Sequence, residues 1–352
     1  MVRKFLLFIF ISCTLFGNVN WVNYGWELFD YVTEARTASL GKATVAYNFD
    51  YPSSALSNPF FPKSSTRKIS LTHQSRFAGL INSELISFQI KNKERLINLN
   101  LILEGVSNIP DTRSALLDWG YDGQYGTNDL GESNGIIDEG ERLDHNKITF
   151  FNQRRIGLHG TSTFKFGNIP LGIGFKILNS FLGDHNAIGV GLDFGFYKSM
   201  KNSHLGLAIK NMPASGMLWS NGTIEGTAPT IEVGYHHSFD ILKKKIISLN
   251  PMSSIIFNIS ERHLNSLYYN EKFSIDILFG LEAIYKQKLM LRLGQNSLYQ
   301  LAGGVGINWK NLVIDYAFLP SSINGIFANH HLISLSINLD WLITSIKKKQ
   351  NK

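Results

Sequence analysis

The sequence contains a single cysteine, Cys13, among 352 residues. It lies in an apolar run from Phe5 to Phe16, which follows two basic residues and is too short to cross a bilayer as a helix. We therefore predict a signal peptide over residues 1–17; a weak lipobox around Cys13 makes lipidation the alternative. The exported chain would have no disulfides and no thiol chemistry, so burial or a membrane must stabilise it.

Long apolar stretches and clustered basic charge are also missing. No later segment approaches the ~20 apolar residues of a membrane-spanning helix. The net charge of +7 is spread along the chain apart from lysine runs at 243–245 and 347–349. There is no basic face with interleaved aromatic residues, so we expect no nucleic-acid partner. The G-x-S-x-G, H-E-x-x-H and glycine-rich phosphate-loop motifs are absent too, and we expect no enzymatic activity.

Alternation of apolar and polar residues with a period of two is the dominant pattern. In residues 187–197, Ile188, Val190 and Leu192 begin an apolar row, and Gly189 and Asp193 belong to the opposite row. The 31 glycines and 9 prolines suit strands joined by tight turns. The predicted strands are 66–74, 82–91, 94–105, 147–166, 170–181, 187–199, 203–211, 228–239, 245–260, 272–286, 288–296, 299–309, 311–319 and 328–341.

Such strands fit either a soluble β-sandwich or a transmembrane barrel. The polar rows are rich in Gly, Ser, Asn and Gln, which is typical of a lumen rather than a solvated face. Many strands exceed the usual soluble length and match a tilted membrane-crossing strand. Trp309 and Trp341 end strands, where an aromatic girdle would lie. We therefore predict an all-β fold, a transmembrane antiparallel β-barrel of about 14 strands over residues 66–341, in the bacterial outer membrane and surrounded by its lipid.

Residues 34–59, EARTASLGKATVAYNFDYPSSALSNP, resemble the N-terminal motif of the PorV/PorQ family of outer-membrane proteins, relatives of the FadL-type barrels. The departures from that motif are Glu34, Lys42, Tyr51 and Phe60-Phe61. A second similarity is LVIDYAF at 312–318. The matching positions are Ala35, Arg36, Gly41, Ala43, Val45, Ala46, Asp50, Ala55, Asn58 and Pro59.

This resemblance implies that residues 18–65 fold into the lumen as a hatch. The residues expected to form it are Arg36, Gly41, Asp50, Asn58 and Pro59. Small residues would let the backbone pack against the inner wall, and Arg36 is expected to pair with a carboxylate in the lumen. The alternative is a surface loop.

The resemblance also implies a role in type IX secretion, in cargo acceptance or in surface attachment. Secretion-system components and exported cargo proteins would then be the partners. The alternative is a FadL-like transporter of hydrophobic small molecules, and a third hypothesis is a soluble exported β-domain. An apolar pocket at the hatch is required for transport but not for cargo docking.

An acidic insertion, residues 106–146, separates the third and fourth predicted strands, and a basic tail follows at 342–352. An insertion of this length predicts an extracellular loop. If Gly135 is aligned with the invariant glycine of an EF-hand loop, several oxygen-bearing residues fall on or beside ligand positions. These candidate Ca²⁺ ligands are Asp129, Glu132, Asn134, Asp138 and Glu141. The alternative is a solvated acidic loop without metal.

Overall fold

A computed structural model describes residues 19–22, 25–47, 49, 51–60, 67–92, 95–166, 169–241, 246–259, 266–270, 273–297, 300–320 and 329–350. The predicted signal peptide and the hatch residue Asp50 lie outside these residues. Within them, no helix has the length and apolar character needed to cross a membrane.

Fourteen antiparallel strands form one closed sheet, as predicted. The first, β2 (Lys68–Arg76), pairs with the last, β21 (His330–Asn338), through contacts such as Leu71 opposite Leu335, so the sheet has no open seam there. The barrel strands are β2 (Lys68–Arg76), β3 (Ile81–Asn92), β4 (Arg95–Asp111), β7 (Thr149–Phe166), β8 (Ile169–Leu182), β9 (His185–Met200), β10 (Ser203–Lys210), β13 (Thr230–His237), β15 (Ile247–Asn258), β17 (Ser274–Tyr285), β18 (Leu289–Gln295), β19 (Leu301–Trp309), β20 (Leu312–Leu319) and β21 (His330–Asn338).

Shorter elements lie at the ends of the barrel and inside it. The short strands are β1 (Val19–Trp21), β5 (Leu116–Leu117), β6 (Arg142–Leu143), β11 (Ser215–Trp219), β12 (Ile224–Thr227), β14 (Phe239–Asp240) and β16 (Tyr268–Tyr269). The helices are α1 (Leu28–Tyr31), α2 (Ala35–Ser39) and α3 (Leu339–Gln350), with 3₁₀ turns at Pro52–Leu56 and His145–Lys147.

The apolar rows of the strands face outward. On β9, Ile188 and Val190 are exposed, whereas Asp193 is buried. On β21, Ile333 is 54% exposed and its neighbour Ser334 is buried. A soluble sandwich would bury the apolar row, so that hypothesis is wrong. A closed sheet that is apolar outside and polar inside is a transmembrane barrel, because lipid tolerates neither polar side chains nor unpaired strand edges.

The two ends of the barrel differ in the length of their connections. At one end, turns such as 201–202, 286–288 and 310–311 join neighbouring strands. At the other end lie the long connections 112–148 and 211–229. Outer-membrane barrels have short periplasmic turns and long extracellular loops, which makes the first end periplasmic.

The C-terminal part of the chain departs from the prediction. We expected a strand as far as residue 341 and then a tail, but β21 ends at Asn338 and α3 follows. The Asn338 Oδ1 accepts a hydrogen bond from the Trp341 N–H at 3.1 Å, which caps the first turn of the helix. The Arg67 side chain donates to Asp340 and lowers the pKa of that carboxyl. Trp341 therefore belongs to a helix and does not end a strand.

Candidate functional site

Residues 25–47, 49 and 51–60, here called the luminal segment, lie inside the barrel. The segment runs from the region of β1, beside β12 at the extracellular end, to the periplasmic start of β2. Glycines on the inner wall make room for its backbone. A Cβ atom built on Gly206 would lie 2.1 Å from the Val45 carbonyl oxygen, and one on Gly294 would lie 2.1 Å from the Gly41 nitrogen. The wall and the segment therefore meet backbone to backbone, which explains the small residues in both.

The predicted hatch residues other than Asp50 are all within this segment. Gly41 has a φ of +62°, a conformation that favours glycine. The Asn58 amide donates to the carbonyl oxygens of Val45, at 2.9 Å, and Phe196, at 3.1 Å, so it joins the segment to β9. Pro59 packs beside Gly172 and Gly174 of β8. The structure places these four residues inside the barrel; that they form a hatch remains a prediction.

Arg36 belongs to a buried group of ionic side chains, here called the central cluster: Arg36, Tyr47, Glu282, Arg292 and Asp315. Its guanidinium lies 2.7 Å from one oxygen of Glu282, which confirms the predicted pairing with a luminal carboxylate. Arg292 contacts the other oxygen of Glu282 at 2.6 Å and lies 2.7 Å from Asp315. Tyr47 donates its hydroxyl to Glu282.

Two cations and two anions balance the charge of the central cluster. The side chains of Glu282 and Arg292 are completely buried. Charges withdrawn from water are tolerated when they are paired, but removing one partner leaves a costly uncompensated charge. The cluster therefore fixes the luminal segment to β17, β18 and β20.

A second ionic group holds the segment on the opposite side of the lumen. Glu104 of β4 accepts a hydrogen bond from the Tyr31 hydroxyl at 3.0 Å and forms ion pairs with Arg76 and Arg155. The Arg76 guanidinium also lies 4.0 Å from the centre of the Tyr31 ring. The sequence analysis did not identify these wall residues. The only feature of the sequence that could have identified them is that each is a charged residue in an inward-facing row of small and polar residues.

A cavity of about 120 Å³ lies between the luminal segment and the wall. Its apolar lining includes Trp26, Phe29, Leu56, Ile256 and Leu278. Charged residues line it as well: Lys210 is 3.2 Å from Asp30, and Lys42 donates to the Asp30 carbonyl oxygen at 2.8 Å. The cavity is therefore amphipathic, with an apolar side and a paired ionic side.

The barrel wall is irregular beside this cavity. Ile209 of β10 pairs with Phe194 of β9, and regular pairing on this side of β9 resumes only at Val190, with Gly216 of β11. Between these two pairs, the Met212 N–H donates to the Leu192 carbonyl oxygen at 2.8 Å. The residues between the two pairs bulge, and Asn211 of the bulge lines the cavity. Beyond the bulge, β11 and β12 form a hairpin, which the sequence analysis missed because both strands are short.

The N-terminal strand β1 lies parallel to β12 on the far side of this hairpin. On the periplasmic side of this hairpin the wall is regular, and β13 pairs with β10 and β15. Nearer the extracellular end, the strand neighbour of β12 on the side away from β11 is β1, which is not one of the fourteen barrel strands. In the part of the chain that the structure describes, β1 has no second strand neighbour. Because β1 precedes the luminal segment in the chain, the segment enters the lumen beside β12, next to the cavity.

The acidic insertion folds at the extracellular end, closed by the pairing of β5 with β6. Its carboxylates mostly accept backbone N–H groups. Glu141 accepts from Gly120 at 2.8 Å and from Asp138 at 2.9 Å, and Asp129 accepts from Asp122 at 2.9 Å. Glu132 accepts from two backbone N–H groups, and the Asn134 amide donates to Asp138.

These contacts place hydrogen-bond donors of the loop on the carboxylates of the candidate calcium ligands, and Asn134, Asp138 and Glu141 contact one another. Within the described residues, no three His, Cys, Asp or Glu side chains form a group that could hold a metal ion. Calcium binding by this loop stays a prediction.

The closed sheet, its apolar outer surface and its filled, polar lumen define the class of the chain: it is a β-barrel protein of the bacterial outer membrane. No family model and no curated protein matches the sequence.

Solved structures with some similarity to the chain include outer-membrane channels of the FadL family and the porins KdgM and NanC. A mutant of the monoaromatic hydrocarbon channel TodX is 12% identical, with a TM-score of 0.48 over 87% of this chain and 99% of the other. The toluene transporter TodX of P. putida is 10% identical, with a TM-score of 0.46 over 87% and 98%. A FadL homologue of Pseudomonas aeruginosa is 13% identical, also with a TM-score of 0.46 over 87% and 98%. All three scores are below 0.5, so the class of the protein rests on its own geometry.

Proposed function

We propose that this protein admits small hydrophobic or amphipathic molecules through the outer membrane. The observation that carries the proposal is the cavity between the luminal segment and the wall, because transport requires an apolar pocket at that position and cargo docking does not. Its volume is close to that of an apolar protein cavity that takes up a benzene molecule, about 150 Å³. The function is binding and passage, without catalysis.

The path is proposed from the elements around the cavity. The bulge between β10 and β11 borders the cavity, and the luminal segment forms its other wall. A ligand held against Trp26 and Leu278 would be released when the luminal segment shifts. The ion pair between Lys210 and Asp30 would lie near the polar part of an amphipathic ligand.

Filling the cavity should abolish binding. Leu278 of β17 is 2% exposed and faces the cavity, whereas Leu281 of the same strand faces lipid. We expect bromobenzene to quench the fluorescence of Trp26, isolated by difference against Trp26→Phe. Leu278→Phe should lower this quenching by at least about tenfold, since an added ring occupies the space of the ligand. Leu281→Phe should leave it unchanged.

Uptake provides the functional readout. Cells that carry Leu278→Phe should take up the apolar dye N-phenylnaphthylamine more slowly than cells that carry Leu281→Phe. If bromobenzene does not quench Trp26, or if both variants behave alike, the transport proposal is wrong.

A second proposed function is the type IX secretion role that the PorV/PorQ resemblance implies. One observation favours it: Tyr125, Leu130 and Ile136 are exposed on the acidic insertion at the extracellular end. Exposed apolar side chains grouped on one loop are typical of a protein-binding surface. The loop would then bind exported cargo or secretion components.

A mild-detergent pull-down from the native outer membrane tests this second function. We expect secretion components or cargo to be recovered with the protein and to be lost with Leu130→Ser/Ile136→Ser. Leu278→Phe should not affect their recovery. Recovery of apolar small molecules with no protein partner would exclude the secretion role and support transport.

A further inference from the structure

Charge is segregated between the two ends of the barrel. The extracellular insertion carries eight carboxylates within residues 118–144: Asp118, Asp122, Asp129, Glu132, Asp138, Glu139, Glu141 and Asp144. Three of the periplasmic turns carry lysines instead. Five of them have exposed side chains and are here called the basic rim: Lys198, Lys201, Lys286, Lys288 and Lys310. They lie in or beside the turns β9–β10, β17–β18 and β19–β20, which extend around part of the barrel.

The lysines of the basic rim have no acidic partners in the part of the chain that the structure describes. Among the described residues, no carboxylate lies within salt-bridge distance of any of the five. This contrasts with Lys176 and Lys210 in the lumen, which are both paired with aspartates. The rim therefore presents positive charge that another molecule can neutralise.

Exposed aromatic side chains lie directly on the membrane side of the rim. Trp309, which is 68% exposed, precedes Lys310, and Tyr285 precedes Lys286. The Lys286 Nζ lies 5.2 Å from the centre of the Tyr285 ring. Tryptophan and tyrosine are enriched at the level of lipid headgroups, because their rings are apolar and their edges are polar. The lysines are thus placed at headgroup depth.

Helix α3 continues this surface at the seam of the barrel. It packs against β2 and β21, and its side chains Trp341 and Ile343 are exposed. The sequence adds lysines 347–349 to its last turn. An amphipathic helix with exposed apolar side chains and lysines is typical of a segment that lies in a membrane interface. The lysine run at 243–245 lies outside the described residues.

We propose that the basic rim and helix α3 bind anionic phospholipids of the periplasmic leaflet. The partner is a lipid rather than a soluble anion because the rim continues the lipid-facing apolar surface and its lysines lie next to exposed aromatic residues. Each lysine close to an anionic membrane surface should strengthen binding of these lipids by about fivefold. The interaction would hold the periplasmic end of the barrel at a fixed depth. It does not depend on whether the barrel transports ligands or binds cargo.

The test compares two variants of equal charge change. In Lys286→Gln/Lys288→Gln/Lys310→Gln the basic rim loses three charges; in Arg113→Gln/Arg142→Gln/Lys147→Gln, the insertion variant, the extracellular connection 112–148 loses three. Each protein is placed in bilayers of phosphatidylcholine with a minority of phosphatidylglycerol, in which one or the other lipid carries brominated acyl chains. The readout is quenching of Trp309, isolated by difference against Trp309→Phe. Heat-modifiable mobility in electrophoresis checks that each barrel is folded.

We expect brominated phosphatidylglycerol to quench Trp309 several-fold more than its share of the lipid predicts. The excess should disappear in the rim variant and persist in the insertion variant. Quenching in proportion to composition in the unchanged protein would overturn the proposal. Equal loss of the excess in both variants would also overturn it, because net charge and not the rim would then be responsible. Capture of an acidic periplasmic protein without any lipid excess would identify a protein partner in place of the lipid.

Discussion

Arg36→Met should release the luminal segment from the wall while the barrel stays folded. The substitution leaves Glu282 with Arg292 but gives the buried central cluster a net negative charge. Removing one partner of a buried ion pair costs about 3–5 kcal/mol. We therefore expect backbone amides near α2, such as that of Ala38, to exchange about 150- to 4,000-fold faster. Hydrogen exchange followed by mass spectrometry measures this effect.

Arg67→Met is the matched control for this prediction. Arg67 pairs with Asp340, and both side chains are about half exposed, at 48% each. An exposed pair contributes only about 0–1 kcal/mol, so the luminal segment should be unaffected. In the double variant Arg36→Met/Glu282→Gln, the remaining Arg292 and Asp315 are balanced again. Exchange in the double variant should be slower than in Arg36→Met; faster exchange there would contradict a charge-based anchor.

Gly294→Ala should displace the luminal segment by steric overlap. The added Cβ would lie 2.1 Å from the Gly41 nitrogen and 2.2 Å from the Leu40 carbonyl carbon, and backbone atoms cannot rotate away as a side chain can. Overpacking of this kind costs about 1–3 kcal/mol. We expect amides around Gly41 to exchange about 5- to 150-fold faster, with increased protease cleavage in the segment.

Gly303→Ala on the next strand is the control for the overlap. The nearest atoms to a Cβ at Gly303 are 4.0 Å away, so the added methyl group fits without a shift. Exchange and cleavage in the luminal segment should match those of the unchanged protein. If Gly294→Ala also leaves them unchanged, the segment does not depend on close contact with β18.

The barrel was predictable because strand patterning is local. Alternation in residues 187–197 assigns Ile188 to lipid and Asp193 to the lumen without knowledge of any partner strand. The α3 helix was missed because its apolar residues follow directly from those of β21. The hydrogen bond from the Trp341 N–H to the Asn338 side chain caps the helix where the strand ends. It depends on the backbone turning at this point, which the apolar pattern does not reveal.

The candidate site was only partly predictable. Arg36 was singled out because it matches the PorV/PorQ motif, and that resemblance implied a luminal segment and hence a luminal partner. Its partner Glu282 lies 246 residues away in the sequence, and the relative placement of β17 and the luminal segment decides that contact. The same holds for Tyr31 with Glu104, 73 residues apart. The position of one charged residue in a polar row does not indicate which residue it will contact across the lumen.

By itself, the sequence determined that this is an outer-membrane barrel of about fourteen strands with its polar rows inside. Period-two alternation and strand length depend only on neighbouring residues and on the surrounding lipid. Only the tertiary structure decided which charges pair in the lumen, where the cavity lies and which lysines share the periplasmic rim. Those features arise from residues far apart in the chain, which strand register and closure of the sheet bring together.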